Sequence, residues 1–431
     1  MKLGNRTLFT LQASTLAALT VSTNEAGSGI SLDAWTFAKF GILTLNWMIG
    51  LAFLVIDRDF RRVSRSLATS YRGYLAYCLI GMIFVFRSSY FDFSVSRLAV
   101  FLFISGPVMF LAAHYLRSVA SPFVVFVRHL YILAIGFSVV ALPVILLSGF
   151  DRVSPTLGLS HPVPFSGLFG VIIALALAQK YWLPSQMDAK MDIYRLLVIG
   201  VAMIPFLVMF TRGTFVALIA VVGLIFLRPA MGGRPEEIFA RLMVSFALPA
   251  TAWLASEPIL SLISRGQSRA ELSSLTGRTD VWTGAIDGLA GLDWFFGHGF
   301  AVVFPKFAFQ LNYGFLYSAH NSFLEALATN GLIGLAAISW FLFGSFAKAN
   351  RNTLNRFEGA FGAQVAIVFL IVSGLSDSTF GSYLTPAFAV MLSIVGIHLG
   401  QAEMARRAVP AQVSRSGQDS AILRANRSPA R

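Results

Sequence analysis

The sequence predicts an all-α polytopic membrane protein with about twelve transmembrane helices, and three properties of the chain lead to this prediction. Apolar residues make up 56% of its 431 residues, and charged residues make up only 12%. The mean hydropathy is +0.72. A soluble domain typically has about 25% charged residues. Because each spanning helix needs about 20 apolar residues, the chain has room for about a dozen spans but not for a large separate soluble domain.

Apolar segments of spanning length recur along the chain, and together they predict one transmembrane domain over residues 1–400. They lie near residues 7–22, 35–56, 73–88, 97–113, 122–149, 165–181, 194–211, 214–228, 240–260, 329–347, 359–375 and 383–399. The first segment also resembles a secretory signal. No small-x-small cleavage site follows it, which favours an uncleaved first helix.

The basic excess of the chain, a net charge of +13, indicates membrane topology rather than nucleic-acid binding. With the N-terminus inside, most Lys and Arg fall in inner segments such as DRDFRRVSRS and KANRNTLNR, as the positive-inside rule requires. Both termini are therefore predicted to be cytoplasmic, and residues 401–431 are expected to form a disordered basic tail. The single cysteine, Cys78, excludes an intramolecular disulfide.

One outer segment is much longer than the others, namely residues 261–328 between the ninth and tenth spans. Loops longer than about 15 residues are usually functional or disordered. The run LDWFFGHGFAVVFPKFAFQLNYGFLY is rich in aromatic residues, which argues against disorder. These side chains can form an aromatic belt at the membrane surface, or a rim on which sugar rings or a lipid chain stack.

Two arginines are candidates for binding a lipid diphosphate, since a guanidinium binds phosphate groups with a bidentate fork. Arg212, in TRGTF, lies between two apolar segments, either as a functional group or snorkelling to the outer interface. Arg278, in LTGRTDVW, precedes residues with helical spacing, among them Trp282. It is placed at a helix N-terminus, which favours anions, or in a solvated loop.

A histidine and an asparagine precede the tenth span in SAHNSFLEAL. Ser322 and Glu325 have the spacing of a capping box, which leaves His320 and Asn321 at the helix mouth. A helix N-terminus disfavours the imidazolium, so we expect His320 to be neutral and able to accept a proton. The alternative is a histidine that only hydrogen-bonds the loop. His298 in GHGF is the nearest rival, but its flanking glycines indicate a tight turn.

Together these residues suit group transfer from a lipid-linked diphosphate to a hydroxyl, with arginines stabilising the leaving group and histidine deprotonating the acceptor. Arg265 and Arg269 add positive charge nearby, and with Asn321 and Trp282 they are expected to contact substrate. The sequence has no His/Cys metal spacing and no Gly-rich phosphate loop, so neither a metal nor a cofactor is expected.

The series TRGTF, GRTDVW, GHGF and SAHNSFLEALATNGLIGL resembles the signature region of the O-antigen ligase and O-antigen polymerase superfamily of bacterial membrane glycosyltransferases. The motifs cover residues 194–344. Here the sequence has Thr-Arg-Gly around Arg212 instead of the commoner Ser-Arg, which leaves the arginine in place.

The resemblance implies a GT-C-like helical fold in the bacterial inner membrane, with a metal-independent, inverting transfer on the periplasmic side. The donor would be an undecaprenyl-diphosphate-linked glycan. By the same resemblance, Arg212 and Arg278 would bind the diphosphate. His320 would activate the acceptor hydroxyl or orient the reacting groups.

The family includes polymerases, which extend a chain on lipid-linked repeats, and ligases, which transfer a finished chain to the lipid A core. Polymerisation of an exopolysaccharide or O-antigen is favoured here, since nothing in the sequence marks a lipid A core site. A flippase for lipid-linked sugars is the alternative from another class. It would need polar residues along a membrane-crossing path. Such systems usually include a chain-length regulator and a separate flippase as partners.

Overall fold

A computed structural model describes residues 2–21, 34–151, 153–157, 162–182, 189–209, 211–227, 278–301, 320–354, 357–378, 380 and 384–425. These residues are helical with connecting turns and contain no strand, in agreement with the all-α prediction. The described helices, numbered in chain order, are α1 Asn5–Thr20, α2 Ala34–Ile56, α3 Arg58–Ser70, α4 Arg72–Phe84, α5 Phe91–Ser118, α6 Pro122–Leu147, α7 Pro162–Leu177, α8 Gln179–Trp182, α9 Ala189–Leu197, α10 Met203–Met209, α11 Arg212–Leu227, α12 Arg278–Asp287, α13 Asp293–Phe296, α14 Ser322–Leu354, α15 Ala360–Gly374 and α16 Pro386–Ala425.

Six helical segments in the described part of the chain are long and apolar enough to cross a membrane. They are α2, α5, α6, Met191–Met209, α14 and Pro386–Arg406, and α3 with α4 gives a seventh if that bent pair is one span. Three shorter helices, α7, α11 and α15, are also apolar. The predicted span at 240–260 and the loop residues 261–277 and 302–319 lie outside the described residues.

Two stretches differ from their expected structure. No helix was predicted within the basic segment DRDFRRVSRS, but most of it lies in α3. Apolar residues recur there with helical spacing, and Phe60, Val63 and Leu67 are buried on one face. The last helix, α16, continues to Ala425, where a disordered tail was expected from residue 401. Alanine and arginine recur through that stretch, and both favour helix.

The centre of the fold is α15, which packs between α11 and α14. Its residues are apolar on all sides and almost all buried, as is typical of a helix surrounded by other helices. The turn that follows α15 contacts the first residues of both α11 and α14. Therefore α15 runs antiparallel to both neighbours, and its C-terminal end brings their N-termini together.

The helix α14 is interrupted at Gly331, which has φ 65° and ψ −168°. Such a break removes hydrogen bonds from the preceding carbonyl groups, and these must find other donors. The N–H of His298 donates to Ala328 O at 2.9 Å, and the N–H of Gly299 donates to Thr329 O at 3.0 Å. The segment GHGF therefore supplies hydrogen bonds to carbonyl groups that the break in α14 leaves without donors. Gly297 and Gly299 have positive φ angles of 68° and 105°, as the predicted tight turn requires.

We expect Gly331→Ala to lower the free energy of unfolding by about 2 kcal/mol or more. The unfolding temperature of the detergent-solubilised protein should therefore fall clearly. A Cβ at this position would lie 2.2 Å from the carbonyl carbon and oxygen of Phe295, and φ is 65°. Circular dichroism on heating measures the effect. Gly223→Ala in α11 is the control, because a Cβ there meets no atom within 4 Å. That change should be neutral or slightly stabilising. Equal unfolding temperatures for Gly331→Ala and Gly223→Ala would show that position 331 tolerates a side chain.

We also expect a pH dependence from Asp57, which caps α3. The backbone N–H of Phe60, together with nearby Arg117, holds the pKa of this carboxyl well below its usual range. Because the folded pKa lies below the unfolded value of about 3.9, the carboxylate stabilises the fold at neutral pH. This contribution is lost as the pH falls below about 4. The matched change Asp57→Asn keeps a good capping residue without the charge.

Unfolding temperatures measured from neutral to acidic pH should therefore fall more steeply for the natural protein than for Asp57→Asn. Parallel pH profiles for the two proteins would show that the charge of Asp57 contributes nothing to folding.

Candidate functional site

The turn Leu375–Ser378, called here the bridging turn, links the N-termini of α11 and α14. Thr211, just before α11, donates its hydroxyl to Asp377 Oδ2 at 2.7 Å. Ser322, the first residue of α14, donates its hydroxyl to the Asp377 carbonyl oxygen at 2.9 Å. The Asp377 side chain is only 2% exposed. One buried residue thus holds both helix starts.

The start of α11 is also fixed from the side of α7. The Oγ of Ser166 accepts a hydrogen bond from the Thr211 N–H at 3.1 Å and bonds to Thr214 Oγ1 at 2.7 Å. Gly213 allows a close approach to the bridging turn, since a Cβ there would lie 2.7 Å from Asp377 Oδ2. Arg212, the first residue of α11, is half-buried at this crowded junction. The structure therefore places Arg212 at a helix N-terminus held by three elements.

His320 lies immediately before the N-terminus of α14, at the helix mouth that the sequence predicts. It is half-buried, and its φ of 47° is in the left-handed region. Histidine adopts this conformation more often than most residues, but a non-glycine residue there still costs about 1 kcal/mol. The backbone at His320 is thus held in an uncommon conformation next to the bridging turn.

Asn321, not Ser322, caps α14, so the predicted capping box of Ser322 and Glu325 is wrong. The Oδ1 of Asn321 accepts hydrogen bonds from the N–H groups of Phe323 at 3.0 Å and Leu324 at 3.1 Å. Asparagine is as good a capping residue as serine, and the Ser322 hydroxyl is used by the bridging turn. The other end of the Asn321 amide donates to Leu375 O at 3.1 Å. Its expected contact with substrate must compete with these bonds.

Glu325 anchors the bridging turn from within α14. Its side chain is 1% exposed, and the hydroxyl of Ser378 donates to its Oε1. A buried carboxylate is costly unless it is hydrogen-bonded, so this bond fixes the spacing between the turn and α14. Phe380 adds apolar contact, with its ring 5.0 Å from that of Phe323.

The helix that begins at Arg278, α12, packs against the first turns of α14. Val281 and Ala285 form a buried cluster with Ala328, and Trp282 and Leu324 pack on its edge. The backbone of Arg278 lies at a helix N-terminus, as the sequence predicts. Its side chain lies outside the described part of the structure, as do Arg265 and Arg269. Whether these three arginines gather around His320 stays a prediction.

Sequence reasoning missed the bridging turn, and with it Asp377 and Ser166. A signal was available for Asp377, since it is the sole Asp, Glu, Lys or Arg between Glu358 and Glu403. A carboxylate in a short connection between two apolar segments is costly, and that cost indicates a defined partner. No comparable signal marks Ser166, because serine is common in membrane helices.

No group of three or more His, Cys, Asp or Glu side chains that could hold a metal ion is found among the described residues. The site as described consists of hydroxyl, amide and carboxylate groups around two helix N-termini. A helix N-terminus carries a positive potential, which suits an anion beside Arg212.

Comparison with known proteins agrees with the motifs. No curated protein matches the chain. Residues 166–339 match the family model described as O-antigen ligase. The match begins in α7, includes Arg212, Arg278 and His320, and ends within α14. This match, together with the motifs, supports similarity of the chain to the O-antigen ligase and O-antigen polymerase superfamily of membrane glycosyltransferases.

Proposed function

We propose that this protein polymerises undecaprenyl-diphosphate-linked oligosaccharide repeats into an exopolysaccharide or O-antigen on the periplasmic face of the bacterial inner membrane. The observation that carries the proposal is the bridging turn. Through Asp377 it holds the start of α11, with Arg212, and the start of α14, preceded by His320. The proposed cation for the leaving group and the proposed base for the acceptor therefore lie at two helix starts that the same turn contacts.

The proposed reaction is an inverting displacement without a metal. The acceptor hydroxyl attacks the anomeric carbon of the donor glycan, and the bond from that carbon to the diphosphate oxygen breaks. His320 takes the proton of the hydroxyl as the new glycosidic bond forms. Arg212 and Arg278 stabilise the charge that develops on the diphosphate, and the N-terminus of α11 adds to this stabilisation.

Trp282, Asn321, Arg265 and Arg269 are proposed to contact the substrates. Trp282 is partly buried against α14, so only the part of its ring outside the apolar cluster is available to a sugar. A chain-length regulator and a flippase for the lipid-linked repeat are the proposed partner proteins.

The second candidate function is ligation of a finished glycan to the lipid A core, which is the activity named in the description of the matched family. The chemistry at His320 and Arg212 would be the same, and only the acceptor would differ. A flippase is less well supported. The polar groups described above gather at one end of α11, α14 and α15 and do not line a path across the membrane.

Reconstitution of the purified protein in nanodiscs with the lipid-linked repeat unit of its host tests the proposal. The products are separated on a gel, with and without added lipid A core. A ladder formed from repeat units alone supports the polymerase. A single product that requires the lipid A core makes the protein a ligase, and no new glycosidic bond in either reaction favours the flippase.

We expect His320→Ala and His320→Asn both to abolish transfer while donor binding stays nearly unchanged. The matched pair distinguishes loss of the imidazole from a change of backbone conformation, because asparagine tolerates the left-handed conformation at this position and alanine does not. Transfer rate and donor affinity are measured on the same nanodiscs. Transfer by His320→Asn at the natural rate would show that only the backbone of residue 320 matters.

We expect Arg212→Lys to lose most of the transfer activity, since a lysine keeps the charge but not the bidentate fork. Arg351→Lys is the control, because Arg351 is exposed near the end of α14 and contributes to no described contact of the site. That variant should keep the natural rate. If Arg212→Lys also kept it, simple charge attraction would replace bidentate binding in the mechanism.

A further inference from the structure

The helix α3 has one buried face and one exposed basic face, and the basic face has no role in the site described above. Phe60, Val63 and Leu67 are buried. Arg58, Arg62 and Arg65 are exposed, and their spacing of four and three residues places them along one side of the helix. The side chains of these three arginines are called here the basic stripe.

The acidic groups next to the basic stripe are already engaged. Asp57 caps the helix through the N–H groups of Asp59 and Phe60, each at 2.9 Å. Arg117 of α5 lies 3.1 Å from Asp59 Oδ2 and 3.6 Å from Asp57 Oδ2. Within the described residues, no acidic side chain forms an ion pair with the basic stripe. Its three positive charges therefore have no acidic ion-pair partner among the described residues.

The position of α3 is that of a helix at the membrane surface. The candidate span α2 ends at Ile56, one residue before the cap of α3, and Val55 and Ile56 are 74% and 80% exposed. Two such exposed apolar side chains suit lipid rather than water. The chain then bends by 77° between α3 and α4. A helix that follows a candidate span, is bent away from the next helix and has one basic face suits the interface, where amphipathic helices bind.

We propose that the basic stripe binds the phosphate groups of anionic lipids in the leaflet that the positive-inside rule makes cytoplasmic. The charge and the position of the basic stripe both indicate anionic lipids as its partner. Three exposed guanidinium groups at the interface would lie next to lipid headgroups. Each basic residue close to an anionic surface contributes about 1 kcal/mol, and guanidinium binds phosphate in a bidentate manner. The proposal does not depend on the reaction that the protein catalyses.

The test measures lipid preference with the full chain in phosphatidylcholine bilayers. A trace of spin-labelled phosphatidylglycerol or spin-labelled phosphatidylcholine is added, and electron spin resonance gives the fraction of each label that the protein immobilises. Arg62→Gln with Arg65→Gln should reduce the preference for phosphatidylglycerol by about fivefold or more. Arg62→Lys with Arg65→Lys should keep most of it, since the charge remains.

The matched control is Lys348→Gln with Arg351→Gln, a pair of exposed cations with the same three-residue spacing near the end of α14. The control should lose clearly less preference than the α3 variant. Equal losses would overturn the proposal, because the effect would then come from net charge and not from the basic stripe. An unchanged preference in Arg62→Gln with Arg65→Gln would overturn it as well.

A second measurement does not depend on how the variants fold. The preference of the natural protein for phosphatidylglycerol should fall as salt is added, because exposed charges are screened within about 10 Å at 0.1 M ionic strength. A preference that does not respond to salt would exclude an exposed basic surface as its source.

Discussion

The hydrogen bonds around Asp377 are the constraint on which the rest of the site depends. Its carboxylate accepts from Thr211 at 2.7 Å, and its carbonyl oxygen accepts from Ser322 at 2.9 Å. Asp377 is 2% exposed and Glu325 is 1% exposed, so neither carboxylate can be left without partners at a tolerable cost. The same groups that avoid this cost also fix α11 and α14 relative to α15. The positions of Arg212 and His320 follow from that arrangement.

The break in α14 has a supporting role in the same arrangement. Residues of α14 before Gly331 carry the cap, Glu325 and the contact with α12, whereas the residues after it form the apolar part of the helix. The segment around His298 donates N–H groups to the carbonyl oxygens of Ala328 and Thr329, which the break leaves without donors, so it ties the short helix α13 to the site. We therefore interpret GHGF as a structural motif. His298 itself is 7% exposed, and its Nδ1 lies 3.5 Å from Asp293 Oδ2.

The sequence predicted those parts of the fold that depend on hydropathy and missed those that depend on contacts between distant residues. Helices such as α2 and α6 were placed to within two residues, because long apolar runs have one stable form in a bilayer. The helix α3 was missed because charge outweighed its periodicity, although Phe60, Val63 and Leu67 have helical spacing. Asn321 and Ser322 are both good caps, and only the bond from Ser322 to Asp377, 55 residues away, decides between them. No local pattern contains that information.

The carboxylate of Asp377 also bears on how such a site would release its product. In the proposed mechanism, Arg212 and the N-terminus of α11 would together bind diphosphate in every state of the reaction, and uniform binding does not accelerate the chemical step. In its ionised form, the Asp377 carboxyl, which accepts from Thr211 beside this N-terminus, would offset part of their positive potential. The leaving diphosphate gains charge as its bond to the sugar breaks, so the attraction would be stronger in the transition state than in the bound donor and stronger still in the free diphosphate product. In the proposed mechanism, Asp377 would therefore aid release of the lipid diphosphate as well as hold the starts of α11 and α14.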